Sequence, residues 1–239
     1  MRPITLRVVH RLREVDIIYY DRLVGLDILE LARRDAERVY VGKAPGCHHW
    51  PQDKISGVIV AAAKQGKRVV RLKCDDPGVC ARGAEEADAL NAAGIAYEVV
   101  PWVTAAIAAS AAMGGFLTER GTCDALMLAT GQSADAGKRP DWITSLRPGM
   151  RVAVYMGVAS ADEIAQNLID ASLAQHIGID IVSNAQRSNQ VIVQCNATTL
   201  VETIQSNAIE NPTIFFLAWP QSVAVGQVDI ECQLEHAVR

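Results

Sequence analysis

RVVRLKCDDPGVCARGAEE, residues Arg68 to Glu86, is the stretch from which the rest of the chain is read. The β-forming residues Val69, Val70, Arg71 and Leu72 end at Cys74-Asp75-Asp76-Pro77-Gly78, and a helical segment follows from about Arg82 to Ala93. Strand, tight turn and helix in that order place the turn at the carboxyl end of a parallel strand. Ligands of open α/β sheets bind at that edge, where loops and helix N-termini converge.

Outward from this unit, the same rhythm recurs. Residues 4–14 read as a helix, and Ile17-Ile18-Tyr19-Tyr20 as a short buried strand ending at Asp21. A helix at about 26–33, a strand at 38–41, and a helix from Pro51 to Gln65 closed by Gly66 come next. After the strand at 69–72, Tyr97-Glu98-Val99-Val100 reads as another, closed by Pro101. A small-residue helix, Ala105 to Met113, ends at Gly114-Gly115. Strands at 125–129, 152–156, 179–182, 191–193 and 213–217, with helices at 161–171 and 200–205, continue the alternation. Such alternation implies parallel sheets. The expected fold is two α/β domains, residues 1–115 and 116–239, with a cleft between them. The carboxyl ends of the strands at 17–20, 38–41, 69–72 and 97–100 are expected to face that cleft. The tail after Pro220 carries no clear pattern.

Composition narrows the function classes. The chain has 239 residues, a formal charge of −4 and half of its residues apolar. No basic face for nucleic acid is indicated. No apolar run approaches the ~20 residues of a membrane span. The opening residues lack the apolar core and cleavage site of a secretion signal, so a cytoplasmic protein is expected. Six scattered cysteines without a CxxC pair read as reduced thiols. Cys47-His48-His49 offers adjacent histidines but no second ligand group at suitable spacing, so no metal is expected.

The motifs, taken in order, resemble one family. Arg68–Lys73, Asp76-Pro77, Arg82-Gly83 and Glu85-Glu86 match RVVRLKGGDPFxFGRGGEE of uroporphyrinogen-III C-methyltransferases, including the methylase half of siroheme synthases. Tyr20-Asp21-Arg22-Leu23-Val24 looks like YDRLV, and Val41-Gly42-Lys43 with Gly46, His48 and Pro51-Gln52 looks like VGKRAGxHxxPQ. Val99-Val100-Pro101 with Val103-Thr104-Ala105 looks like VVPGVTAA, Leu117-Thr118 with Arg120 like LTHRD, and Thr130-Gly131 like TGH. Tyr155-Met156-Gly157-Val158 looks like YMGV, and Asn184 stands in the ENG position. The similarity spans roughly Thr5 to Leu217.

The resemblance implies two α/β domains of the tetrapyrrole methylase fold, S-adenosylmethionine as cofactor, and a homodimer. The implied reaction is methyl transfer to pyrrole carbons of uroporphyrinogen III, giving precorrin-2 for siroheme and cobalamin synthesis. By the same resemblance Asp21 is the proton acceptor and Lys43 the proton donor. Cys74, Asp75, Asp76, Val79, Thr104, Ala105, Met156 and Ala185 stand at cofactor-contacting positions. Arg22, Arg82 and Arg120 are candidates for the carboxylates of the tetrapyrrole, which guanidinium groups pair well. From the residues alone, Asp21 is equally a strand-end helix cap, Lys43 a solvated loop residue, and each arginine a surface ion pair.

The chain departs from the family around the cofactor. It starts after the family's first strand and glycine-rich loop. Cys74 and Asp75 replace the paired glycines, Trp102 and Ala185 replace two more, Glu119 replaces a histidine, and Ala44-Pro45 removes an arginine. Glycine at such turns permits positive φ and close backbone approach. Either left-handed backbone at Cys74 and Asp75 or a relaxed loop whose amides draw away from the ligand, together with the Trp102 ring beside the same turn in the cofactor's volume, is therefore expected to weaken cofactor binding. The alternative function is a non-catalytic relative kept for tetrapyrrole binding or protein interaction.

Overall fold

The computed structural model describes residues 4–42, 50–132 and 141–221. The chain forms two compact units. The first runs to Gly115 and also takes in Val182–Ile192 and Ile209–Ile214; the second holds Phe116–Ile181, Val193–Ala208 and the chain from Phe215 on.

In the first unit the element order is α1 (Leu6–Leu12), β1 (Ile17–Tyr20), α2 (Leu26–Leu29), β2 (Glu37–Tyr40), α3 (Gln52–Lys64), β3 (Val69–Leu72), α4 (Gly83–Ala92) and α5 (Ala105–Ala112). β1 is the middle strand of a parallel sheet ordered β2-β1-β3. Its run of four large apolar or aromatic residues is explained by burial on both faces. Ile18 and Tyr20 point to a core with Val8 and Leu12 of α1, Ile28 and Leu29 of α2, and Leu72. Ile17 and Tyr19 point to the opposite core with Ile55, Ile59 and Ala62 of α3. Each such side chain, fully buried, contributes roughly 1.5–3 kcal/mol. Pro51 is the N-cap of α3, and Gly66 at φ +79° ends it.

The strand expected at 97–100 does not form. Among the described residues β3 ends its sheet, and residues 97–100 do not pair with its outer edge. Val100 alone packs on the first core, while Tyr97 and Val99 are exposed. Side chains fasten this stretch instead. Glu98 pairs with Arg7 and Arg11 of α1, and the Thr5 hydroxyl donates to the Pro101 carbonyl.

The remaining strands are β4 (Ala125–Thr130), β5 (Met150–Tyr155), β6 (Gly178–Ser183), β7 (Val191–Asn196) and β8 (Thr213–Trp219), with helices α6 (Ala161–Asp170) and α7 (Leu200–Ser206). They form a five-stranded sheet ordered β4-β5-β8-β6-β7, in which β4 and β5 are parallel. α6 buries Ala161, Ile164, Ala165 and Leu168, the i, i+3, i+4, i+7 spacing of an amphipathic helix.

Candidate functional site

The parallel register brings Tyr20, Tyr40 and Leu72 level, so Asp21, Val41 and Lys73 emerge from one edge of the first sheet. Arg71 lies one residue back on β3, opposite Tyr19. Its Nη2 donates to Asp21 Oδ1 at 2.7 Å, and its Nε to Glu86 Oε1 at 3.1 Å. Glu86, in the first turn of α4, also accepts from Lys73 Nζ at 3.0 Å and from Gln52 Nε2 at 3.0 Å. The side chains of Arg71, Lys73 and Glu86 are 12%, 8% and 7% exposed, and that of Asp21 is 29% exposed. Two cations thus meet two carboxylates in a largely dry cluster, each charge directly paired. Unpaired, any of them would be costly at that depth.

The Cys74–Gly78 turn is closed by its own carboxylates. Asp75 Oδ1 accepts from the backbone N–H of Asp76 at 2.7 Å and of Ala105 at 2.8 Å. Asp76 Oδ1 accepts from Gly78 at 2.8 Å, and its Oδ2 from the Trp102 N–H at 2.8 Å. The turn is therefore stapled to the start of α5, whose N-cap is the buried Thr104.

This corrects the expected strain. The left-handed residues hereabouts are Cys80 (φ 49°) and Arg82 (φ 55°), not Cys74 or Asp75. Nor does Ala185 take positive φ; its neighbours Asn184 (φ 50°) and Gln186 (φ 59°) do. The Trp102 ring packs on the first core with Ile4, Val70, Cys74 and Val100. Gly83 is the residue that admits the turn at all. A Cβ there would lie 2.5 Å from the Pro77 carbonyl oxygen.

Burial pushes the Asp75 carboxyl above its usual range, against the pull of the N–H groups it accepts. The folded chain then holds a proton on Asp75 to higher pH than the unfolded chain. Between those two values the fold binds more protons, so stability falls as pH rises through the window. Thermal melts from pH 4 upward are expected to show this decline, and Asp75→Asn to flatten it. An equally steep decline in that variant would assign it to other groups.

Of the other expected site residues, Val79 is half-buried in the same turn, its N–H bonded to the Asp76 carbonyl. Arg82 is engaged by Glu85, at 2.7 and 2.6 Å, on the exposed face of α4. Arg22 and Arg120 are exposed. Ala185 lies in a turn joined to α5 through Gln186 Nε2 and the Ala108 carbonyl, 3.4 Å apart. Met156 follows β5 with φ 56° and stays exposed. There Gly131 comes so close that a Cβ on it would sit 2.7 Å from Gly157 Cα. Lys43, His48 and His49 lie outside the described residues, as does most of the tail after Pro220. Among the described residues no group of three or more His, Cys, Asp or Glu is placed to hold a metal ion, and no helix is long and apolar enough to cross a membrane.

The residues of the cluster come from three separate motifs of the sequence: the one matching YDRLV at Asp21, the one ending in PQ at Gln52, and the one from Arg68 to Glu86 at Arg71, Lys73 and Glu86. The profile of the tetrapyrrole (corrin/porphyrin) methylases matches residues 1–201. The chain belongs to the tetrapyrrole methylase family. Siroheme synthase of Chromobacterium violaceum is 40% identical over 214 residues, which are 90% of this chain and 46% of that one. Siroheme synthase 1 of Pectobacterium atrosepticum is 38% identical over 225 residues, 94% of this chain and 45% of that one. This tetrapyrrole methylase thus spans about half the length of the curated relatives it matches. Among solved structures, the uroporphyrin-III C-methyl transferase of Thermus thermophilus complexed with S-adenyl homocysteine is 29% identical, with a TM-score of 0.73 over 90% of this chain and 85% of that one. A cobalt precorrin-4 methyltransferase shares the fold, at a TM-score of 0.76 and 22% identity over 90% of this chain and 88% of that one.

Sequence reasoning assigned no role to Arg71, Lys73, Glu86 or Gln52. One signal was in reach: an arginine inside an apolar strand and a glutamate on the inward side of a first turn both need buried partners.

Proposed function

We propose that this tetrapyrrole methylase transfers methyl groups from S-adenosylmethionine to pyrrole carbons of uroporphyrinogen III, yielding precorrin-2. The observation that carries the reading is the Asp21–Arg71–Glu86–Lys73 cluster, which assembles residues of two family motifs around the aspartate assigned as proton acceptor. The non-catalytic alternative finds no support in the relatives, which are named as synthases and methyltransferases.

In the second unit the end of β5 suits the cofactor. Met156, exposed and in left-handed backbone, follows β5, and beside it Gly131 approaches the main chain of Gly157 closely enough to exclude a side chain. When bound, S-adenosylmethionine supplies a methyl on a sulfonium and leaves as the thioether. The methylated pyrrole carbon carries no hydrogen, so the ring cation left by methyl attack is discharged by loss of a proton elsewhere on the macrocycle. Asp21 takes that proton, and the electrons of the broken bond neutralise the ring. Lys43 serves as proton donor. Arg22, Arg82 and Arg120 meet substrate carboxylates, Arg82 by exchanging Glu85 for the ligand. The enzyme acts as a homodimer, and its tetrapyrrole serves siroheme or cobalamin synthesis.

Calorimetric titration with S-adenosylmethionine, followed by assay of thioether release with uroporphyrinogen III, tests the reading. No binding at millimolar cofactor would end it. Asp75 already occupies the Ala105 N–H, a donor at the start of α5. Asp75→Gly frees that donor and is expected to tighten cofactor binding about tenfold, the worth of roughly 1.4 kcal/mol. Unchanged affinity would show that the Ala105 N–H takes no part.

A further inference from the structure

Arg71 is fixed more firmly than a strand-borne arginine needs to be. Besides Asp21 and Glu86, its Nη1 donates to the carbonyls of Tyr19 at 3.3 Å and Leu72 at 3.0 Å. The guanidinium fork is thus seated on main chain of both β1 and β3, close to the strand ends. Glu86 holds its far side through Nε, and Gln52 and Lys73 in turn hold Glu86. Every rotatable bond of the arginine is constrained by partners on rigid elements. What remains is Nη2, which points at Oδ1 of Asp21 at 2.7 Å. Asp21 itself follows β1 at a turn and is the most exposed member of the cluster.

An anchored donor on one oxygen orients a carboxylate. It fixes the plane of the group and leaves the other oxygen to face outward. We propose that Arg71 is the positioning residue of the proton transfer: it holds Oδ1 of Asp21 so that Oδ2 meets the proton that leaves the macrocycle after methylation. This rests on the reading of Asp21 as the acceptor. Glu86 acts one step further out. It keeps the guanidinium from rotating and balances its charge together with that of Lys73. The chain of contacts α3–Gln52, α4–Glu86, β3–Arg71 and β1–Asp21 links the helices behind the sheet to the reacting edge. Lysine could not replace this arginine. A single ammonium cannot bond Asp21, Glu86 and two carbonyls in one plane.

A double-mutant cycle on turnover tests the proposal. The protein is assayed with S-adenosylmethionine and uroporphyrinogen III as Arg71→Gln, Arg71→Lys, Asp21→Asn and the two combinations. Arg71→Gln is expected to lower kcat about tenfold to hundredfold, as misplacement of a reacting group does, with KM for both substrates little changed. Combined with Asp21→Asn it should cost less than about twofold more, because it has nothing left to orient. Guanidinium ion added to the Arg71→Gln enzyme should restore part of the rate. If the two losses multiply, or if KM rises while kcat holds, Arg71 does not act through Asp21 and the proposal falls. Where Arg71→Gln does not fold, Arg71→Lys keeps the charge, and the same cycle run on it decides the proposal by the same criteria. A kcat unchanged by Asp21→Asn alone would remove the acceptor assignment, and the proposal with it. Multiplying losses from two damaging substitutions would instead remove the proposal and leave the acceptor assignment standing.

Discussion

Asp21→Asn is expected to lower methyl transfer by about 100- to 10,000-fold, the range that a positioned acid or base contributes. The substitution keeps the size of the side chain and an oxygen for the Arg71 Nη2, but removes the basicity. The fold should survive it. Arg71 keeps Glu86 and the carbonyls of Tyr19 and Leu72, so its charge remains paired. Affinity for S-adenosylmethionine, measured by calorimetry, should change little, because the variant alters a proton acceptor and not the turn at Asp75 and Asp76. Turnover is therefore to be set against binding on one protein. A full rate with normal binding would show that the proton leaves to water or to another group, and Asp21 would be left as a partner of Arg71 alone.

The second large effect concerns stability. Glu86→Gln is expected to destabilise the fold by about 3–5 kcal/mol, the cost of leaving buried charge uncompensated. Glu86 is the shared counter-ion of Arg71 and Lys73, and its side chain is 7% exposed. Removing it leaves two cations to one carboxylate, and the amide cannot supply the missing charge. For a chain of this size that loss lowers the melting temperature by roughly 10 °C. Lys73→Met in the same protein removes the surplus cation and fills its volume. The double variant should recover much of the loss, a non-additivity expected only of residues in one network. Equal melting of Glu86→Gln and the unaltered protein would mean that water reaches the cluster and screens it. Lys73→Met alone should also destabilise, since it leaves the Ala81 carbonyl without its 2.7 Å donor and Glu86 with one cation fewer.

The sequence alone determined the features set by near neighbours. The run at Ile17–Tyr20 reads as a doubly buried strand because apolar residues without alternation leave no face for water, and both faces are indeed covered. Pro51 and Gly66 bound α3 through their own backbone restrictions. The ordered motifs carried the family. Tertiary structure decided what depends on distant partners. Residues 97–100 have β-forming side chains, yet they do not pair with the outer edge of β3, where the order β2-β1-β3 ends among the described residues; Glu98 is held instead by Arg7 and Arg11 of α1. Cys74 and Asp75 avoid left-handed backbone because Asp75 and Asp76 reach the N–H groups of Ala105 and Trp102, some thirty residues on. Asp21 and Arg71 are 50 residues apart, and Gln52 and Glu86 are 34 apart. No local propensity encodes such pairs; they follow from the parallel register of β1 and β3 and from the packing of α3 and α4, which bring the charges within bonding distance only once the chain is folded.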